Sequence, residues 1–270
     1  MQAETLRRCF DLEAVDHDRF TAPVAGFPQV PWAYGGILIG QACLAARATG
    51  EGRDVRSLHV SFLHSTDADR PVDIAVERSS DRGTFAVRQV RIGHGPDVTV
   101  VATALLHHDE EGPEHQVAMP DVVDPTDGEP GHPGLAVEVR DASAGRLMSG
   151  EVEAPEMDIW YRAPAVADDR GAHEAMACYI ADLSLLETAW RPIPGATIRK
   201  TDRYISSTLS HTMWFHRWPH VDDWVLYHSE SPAAVAGRSL CTGHLFARDG
   251  TLLVSVAQEG LMRIRGVDGS

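Results

Sequence analysis

Two stretches of this sequence follow the same plan, and that repetition limits the folds open to it more than any single motif does. An apolar helical run, "AYGGILIGQACLAARA" (33–48), is followed by strand-like runs at 55–64, 71–79, 84–92 and 98–106. Further on, a helical run over 172–190 is followed by strand-like runs at 205–216, 223–230, 237–247 and 251–259. A helix apolar on nearly every face needs structure all round it, and a curled meander of four strands supplies that. The plan therefore predicts an α+β chain of two repeats, each a helix wrapped by an antiparallel sheet.

Smaller echoes set a register between the repeats. "HVSFLH" (59–64) aligns with "HTMWFH" (211–216), Glu77 with Glu230, and "DVTVVATALLH" (97–107) with "GTLLVSVAQEG" (250–260). In that register Leu105 stands opposite Gln258. Leu252, Val254, Val256 and Gln258 share parity, so a strand through them puts an amide on the apolar face. A buried amide costs free energy unless its donors and acceptor are used. Either the strand ends there, or the amide has a partner or a task.

The second helix raises the same question. Met176, Tyr179, Ile180, Leu183 and Leu186 form one stripe, and Cys178, Leu185 and Ala189 a second, on which Asp182 falls. A carboxylate there is functional, or it is locally hydrogen-bonded or caps the helix. Glu174 and Glu187 read as exposed-face residues.

Composition narrows the partners. Residues 107–134 hold eight Asp/Glu and no Lys or Arg, more than half of a net charge of -15, and read as a Pro/Gly-rich linker between a first repeat (1–106) and a second (135–270). A chain so acidic repels nucleic acid and anionic membranes. Cys9, Cys43, Cys178 and Cys241 form no CxxC pair, which argues against zinc, a redox motif or a disulfide framework and for reduced thiols in the cytoplasm. The first residues lack the apolar core of a secretory leader. Residues 20–46 are uncharged, yet Pro23, Pro28, Pro31, Gln29 and Gln41 argue against membrane insertion. No serine-hydrolase elbow, P-loop, dinucleotide fingerprint or H-E-x-x-H occurs, so no metal and no organic cofactor is expected.

The pieces "GGILIGQACLAA", "LHVSFLHSTDADRPVDIAVE", "ADLSLLETA", "TLSHTMWFHR" and "DDWVLYHSESPAAVAGRSLCTGHLFARDGTLLVSVAQEG", in that order, resemble the type II acyl-CoA thioesterases of the bacterial TesB type. The resemblance spans most of 20–263 and is strongest over 205–263. It implies a double hot-dog fold and an acyl-CoA thioesterase acting without cofactor, as a homodimer or larger homo-oligomer. It also implies a water-activating trio of Asp182, Thr208 and Gln258. Many members of that family carry an acid two residues after the Thr, where this chain has Ser210.

Those residue types suit thioester hydrolysis. A desolvated carboxylate can deprotonate a water as it attacks, while a hydroxyl and an amide fix that water's orientation. Gly35 and Gly36 permit close backbone approach to substrate or, equally, tight packing of the helix. Arg82 and Arg88 are candidates for the coenzyme A phosphates, against ordinary surface roles. Two other classes stay open on the residues: a hydratase or dehydratase of acyl thioesters, which needs an Asp/His pair, and a non-catalytic acyl-CoA-binding protein. In the register above, Arg56 matches Thr208 and a position near Gly36 matches Asp182, so a single centre in the second repeat is expected.

Overall fold

The computed structural model of the chain describes residues 1–28, 30–131, 135–143, 151–194 and 204–264. A short helix α1 (Ala3–Cys9) leads into β1 (Glu13–Asp16), β2 (Arg19–Ala22) and helix α2 (Gly35–Ala48). The meander β3 (Asp54–Phe62), β4 (Val72–Arg82), β5 (Phe85–His94) and β6 (Asp97–His107) follows. The second half runs β7 (Glu138–Asp141), β8 (Glu156–Arg162), α3 (Arg170–Leu183) and α4 (Leu185–Trp190). It ends with β9 (Tyr204–Phe215), β10 (Val225–Val235), β11 (Arg238–Ala247) and β12 (Leu252–Ile264).

The twelve strands among the described residues join one antiparallel sheet in the order β1-β2-β4-β5-β6-β3-β9-β12-β11-β10-β8-β7. The order is a palindrome of the two halves about the β3–β9 pair, so each half adds two strands that precede its helix to the expected four. Helix α2 lies against β3 to β6, α4 lies against β8 to β12, and α3 packs along α2.

The close approach of α2 and α3 rests on glycine. A Cβ on Gly36 would come within 3.0 Å of Tyr179 Cα, and one on Gly40 within 3.0 Å of the Ala175 carbonyl oxygen. Gly171 meets Leu44 as Gly36 meets Tyr179, so the pseudo-dyad exchanges Gly36 with Gly171 and Leu44 with Tyr179. The helices run antiparallel, and Arg47, not Gly36, is the counterpart of Asp182. Gly36 is instead its neighbour across the dyad.

The strands correct the register too. Leu58 pairs with Met213 and Val60 with His211, while Arg56 of β3 and Leu209 of β9 are each left out of their ladders as bulges. The dyad that superposes the two bulges matches Leu58 with His211 and Val55 with Thr208. Across the next ladder, Leu58 faces Ala104 as His211 faces Gln258, so Ala104 is the counterpart of Gln258. Aligning the two histidines was therefore wrong by one residue, and a one-residue slip exchanges the faces of a strand. His59 is exposed and His211 is fully buried.

Three further expectations change. The helix over 172–190 breaks at Ser184, which leaves helical geometry (φ -135°) and whose Oγ accepts from the Tyr161 hydroxyl. Glu174 is fully buried, held by Arg47 and Arg170, and Glu187 is half-buried, its carboxyl pushed up to about 8 by burial against the opposing pull of Arg191. The acidic segment after β6 is a strap across the outer face of the second half. Arg217 binds Glu114, Arg248 binds Asp124, and Met119 and Val122 cover Trp160, Trp224 and Phe246.

Candidate active site

Asp182 lies in the last turn of α3, where the antiparallel packing sets it against the N-terminus of α2. Gly35 makes room for it: a Cβ there would stand 2.8 Å from Asp182 Oδ2. Thr208 and Gln258 come from adjacent strands, with Gly260 opposite Thr208 and Gln258 opposite His211. Thr208 and His211 are three apart, and in a regular strand they would face opposite sides. The bulge at Leu209 turns Thr208 back to the side of His211 and Gln258.

The side chains form a hydrogen-bond chain. Thr208 Oγ1 donates to Asp182 Oδ1 at 3.0 Å, and Gln258 Nε2 donates to Thr208 Oγ1 at 2.9 Å. At the far end, His211 Nδ1 lies 2.5 Å from Gln258 Oε1. Gln258 and His211 are buried; Asp182 and Thr208 are half-buried.

Burial raises the Asp182 carboxyl from its ordinary value near 3.8 to about 6, against the lowering effect of Thr208, Tyr34, the Gly36 N–H and Gln258. Tyr34, at the N-cap of α2, turns its hydroxyl toward this carboxylate without reaching hydrogen-bond geometry. Its ring packs edge-on against Tyr179 at 5.3 Å. A carboxyl poised near 6 is ionised at neutral pH yet basic enough to take a proton from an attacking water.

Of the residues selected from sequence, Asp182, Thr208, Gln258, Gly35 and Gly36 come together. The arginines do not join them. Arg88 is fully buried beneath the β4–β5 hairpin, its N–H groups donating to Thr49, Ser80, Val87 and Asp81, so it cannot meet a coenzyme A phosphate. Arg82 is exposed at the tip of that hairpin, beside the C-terminal end of α2, the opposite end of the helix from the one Asp182 faces. Ser210 alternates away from His211, so the missing acid lies on the opposite face from the trio.

Neither His211 nor Tyr34 is among the site residues selected from sequence. The signal for His211 was its parity with Met213 and Phe215, both core residues. Two other features lie apart from this site. His173, His220 and Asp222 hold possible metal-ligating atoms within 4.8 Å of one another beside the first turn of α3, but the His173 Nδ1 already accepts the Val221 N–H. A cavity of about 230 Å³ opens under the strap, between Val117, Pro120, His228 and His244.

Comparison with known proteins gives this geometry its family. The acyl-CoA thioesterase family matches over residues 134–261, and the acyl-CoA thioesterase N-terminal domain over 24–107. Human acyl-coenzyme A thioesterase 8 is 30% identical to this chain, the match covering 94% of the chain and 88% of the human protein. The chain belongs to the acyl-CoA thioesterase family. A crystal structure of acyl-CoA thioesterase II TesB2 from Mycobacterium marinum superposes on this thioesterase with a TM-score of 0.81 at 30% identity, over 98% of this chain and 99% of that one. A protein of unknown function with a hot dog fold, from Alicyclobacillus acidocaldarius, superposes with a TM-score of 0.80 at 18% identity, over 96% and 97% of the two chains, and shows the fold alone. The architecture is the double hot-dog, and the enzyme is a thioester hydrolase.

Proposed function

We propose that this thioesterase hydrolyses acyl-CoA with a water activated by Asp182 and oriented by Thr208 and Gln258. The observation that carries the proposal is the recessed Asp182 carboxylate, which receives the Thr208–Gln258 chain and faces the N-terminus of α2. In the forward step the water oxygen bonds to the thioester carbon while Asp182 takes one of its protons, and the carbonyl becomes an oxyanion. Collapse of that adduct breaks the C–S bond, and the proton on Asp182 passes to the departing thiolate. The products are a carboxylic acid and coenzyme A. Backbone N–H groups at the start of α2, around Gly35 and Gly36, are the proposed donors to the oxyanion. Arg82 remains a proposed contact for the coenzyme's phosphates.

In this reading residues 135–270 carry the chemistry and 1–106 supply sheet, pocket wall and helix-end donors. An Asp/His pair of the hydratase kind finds no support around Asp182, because the His211 Nδ1 is taken by Gln258. The proposed setting is the cytoplasm, in a homo-oligomer. Four buried free thiols suit a reducing compartment, and among the described residues no helix is long and apolar enough to cross a membrane. Trp214 and Leu240, both more than two-fifths exposed, give the sheet an apolar outer surface for a second copy, and light scattering tests for one. The direct test of the activity is thiol release from acyl-CoAs of graded chain length. The wild-type protein should turn over at least part of the series and Asp182→Asn almost none; a folded Asp182→Asn enzyme with normal turnover would refute the assignment.

A further inference from the structure

We propose that His211 is a positioning residue: its Nδ1–H fixes the Gln258 amide in the one orientation that lets Gln258 and Thr208 both donate toward Asp182. The inference rests on the trio reading and extends it by one residue. The polarity of the chain follows from its end. An ionised carboxylate only accepts, so the Thr208 hydroxyl must donate to Asp182 and take its own hydrogen bond from the Gln258 NH₂. The Gln258 oxygen then points the other way, into the interior, where a group must donate to it. His211 stands directly opposite Gln258 on β9 and meets that oxygen with Nδ1.

A histidine can do this as the imidazolium or as the neutral tautomer protonated on Nδ1, and here it is the neutral form. Its surroundings hold it there. The ring is fully buried, burial keeps its pKa down at about 4 against the raising effect of Gln258, and no group among the described residues partners its Nε2. With the ring locked, the amide cannot flip, because a flip would aim its NH₂ at the His211 N–H and its oxygen at a hydroxyl committed to Asp182. A buried amide with no such anchor has two orientations, and only one of them supports the water-activating geometry. The first half places Leu58 at the corresponding position, consistent with an apolar Ala104 having no amide to orient.

The test compares His211→Leu with His211→Asn, whose side-chain NH₂ can reach toward the place of Nδ1. His211→Leu should lower kcat by roughly 10–100-fold with KM nearly unchanged, as expected when reacting groups are misplaced by about an ångström. It should also move the acid limb of the kcat profile to higher pH, because Asp182 loses ordered donors. His211→Asn should recover most of both effects. In a Gln258→Leu background, His211→Leu should add almost nothing further, since its only route to the chemistry has gone. The proposal is overturned if folded His211→Leu keeps wild-type kcat and acid limb, if its loss appears in KM alone, or if the two changes multiply. Should His211→Leu fail to fold, His211→Phe, which fills the space without an N–H, takes its place beside His211→Asn: an acid limb raised in His211→Phe and restored in His211→Asn supports the role, and wild-type limbs in both refute it. Asp182→Asn run in parallel separates the readings. If that variant is inactive while His211→Leu is unaffected, only the role of His211 fails; if it is active, the trio reading itself fails.

Discussion

The two halves place different chemistry at matching points of one scaffold. Where the second half has Asp182, Thr208, Gln258 and His211, the first has Arg47, Val55, Ala104 and Leu58. In the second half a carboxylate with no cationic partner among the described residues is held half-buried by neutral donors at a helix N-terminus, and its pKa is displaced upward. At the corresponding place in the first half, Arg47 bridges Asp54 at 2.7 Å and the buried Glu174 at 3.3 Å, and Arg170 joins both acids. At one end of the α2–α3 pair, residues of both halves neutralise one another's charges, and at the other end Asp182 is held by neutral donors. In the proposed reading the duplicated fold keeps its packing in both copies and the machinery in one.

Exchanging the two charges should break that contrast most visibly. Asp182→Asn is expected to cut turnover by roughly 10²–10⁴-fold with folding intact, while Arg47→Met should leave the chemistry nearly unchanged and destabilise the fold by about 3 kcal/mol, since it strips one cation from a buried acid pair. Thiol release and denaturant unfolding on both variants give the two readings. Next in size, Thr208→Val and Gln258→Leu should each slow turnover by roughly 10–10²-fold. Combined with Asp182→Asn they should lose far less than the product of the single effects, because all three act on one water.

The pH profile sharpens the comparison further. The displaced group is a base, so kcat/KM should fall as pH drops through about 6 and level off above it. The sign for stability is opposite to that of a salt-bridged carboxylate: a folded pKa above the unfolded value contributes stability below pH 4 that is lost as pH rises through about 6. Asp182→Asn should therefore gain on wild type in unfolding free energy between pH 4 and pH 8. The smallest effect tests the register. Ala104→Gln drives an amide into a packed, fully buried position and should cost about 1–3 kcal/mol, whereas Leu105→Gln on the half-buried outer face should cost less than about 1 kcal/mol. The reverse ranking would restore the alignment of the two histidines.

Much of this was legible in the chain. Apolar periodicity located both central helices and eight of the twelve described strands, and the parity of Gln258 with Val254 and Val256 marked a buried amide in need of partners. Other features left no periodic signal. The bulge at Leu209 adds one residue to a ladder, and without it neither the inward turn of Thr208 nor the true partner of His211 can be counted along the strand. Arg88 looks like a surface cation until the Thr49 and Ser80 carbonyls are seen to surround it. Glu174 is buried because its countercharges, Arg47 and Arg170, come from two helices, one of them far away in sequence. The acidic strap reads as a linker because its partners, Arg217 and Arg248, are about a hundred residues away.

The central claim is that each chain holds one hydrolytic centre, and counting sites tests it most directly. A non-hydrolysable thioether analogue of an accepted acyl-CoA, titrated into the purified enzyme by calorimetry, should saturate at one equivalent per chain, with the same count in Arg47→Met. Saturation at two equivalent sites per chain, reduced to one by Arg47→Met, would show that the first half also carries a working centre.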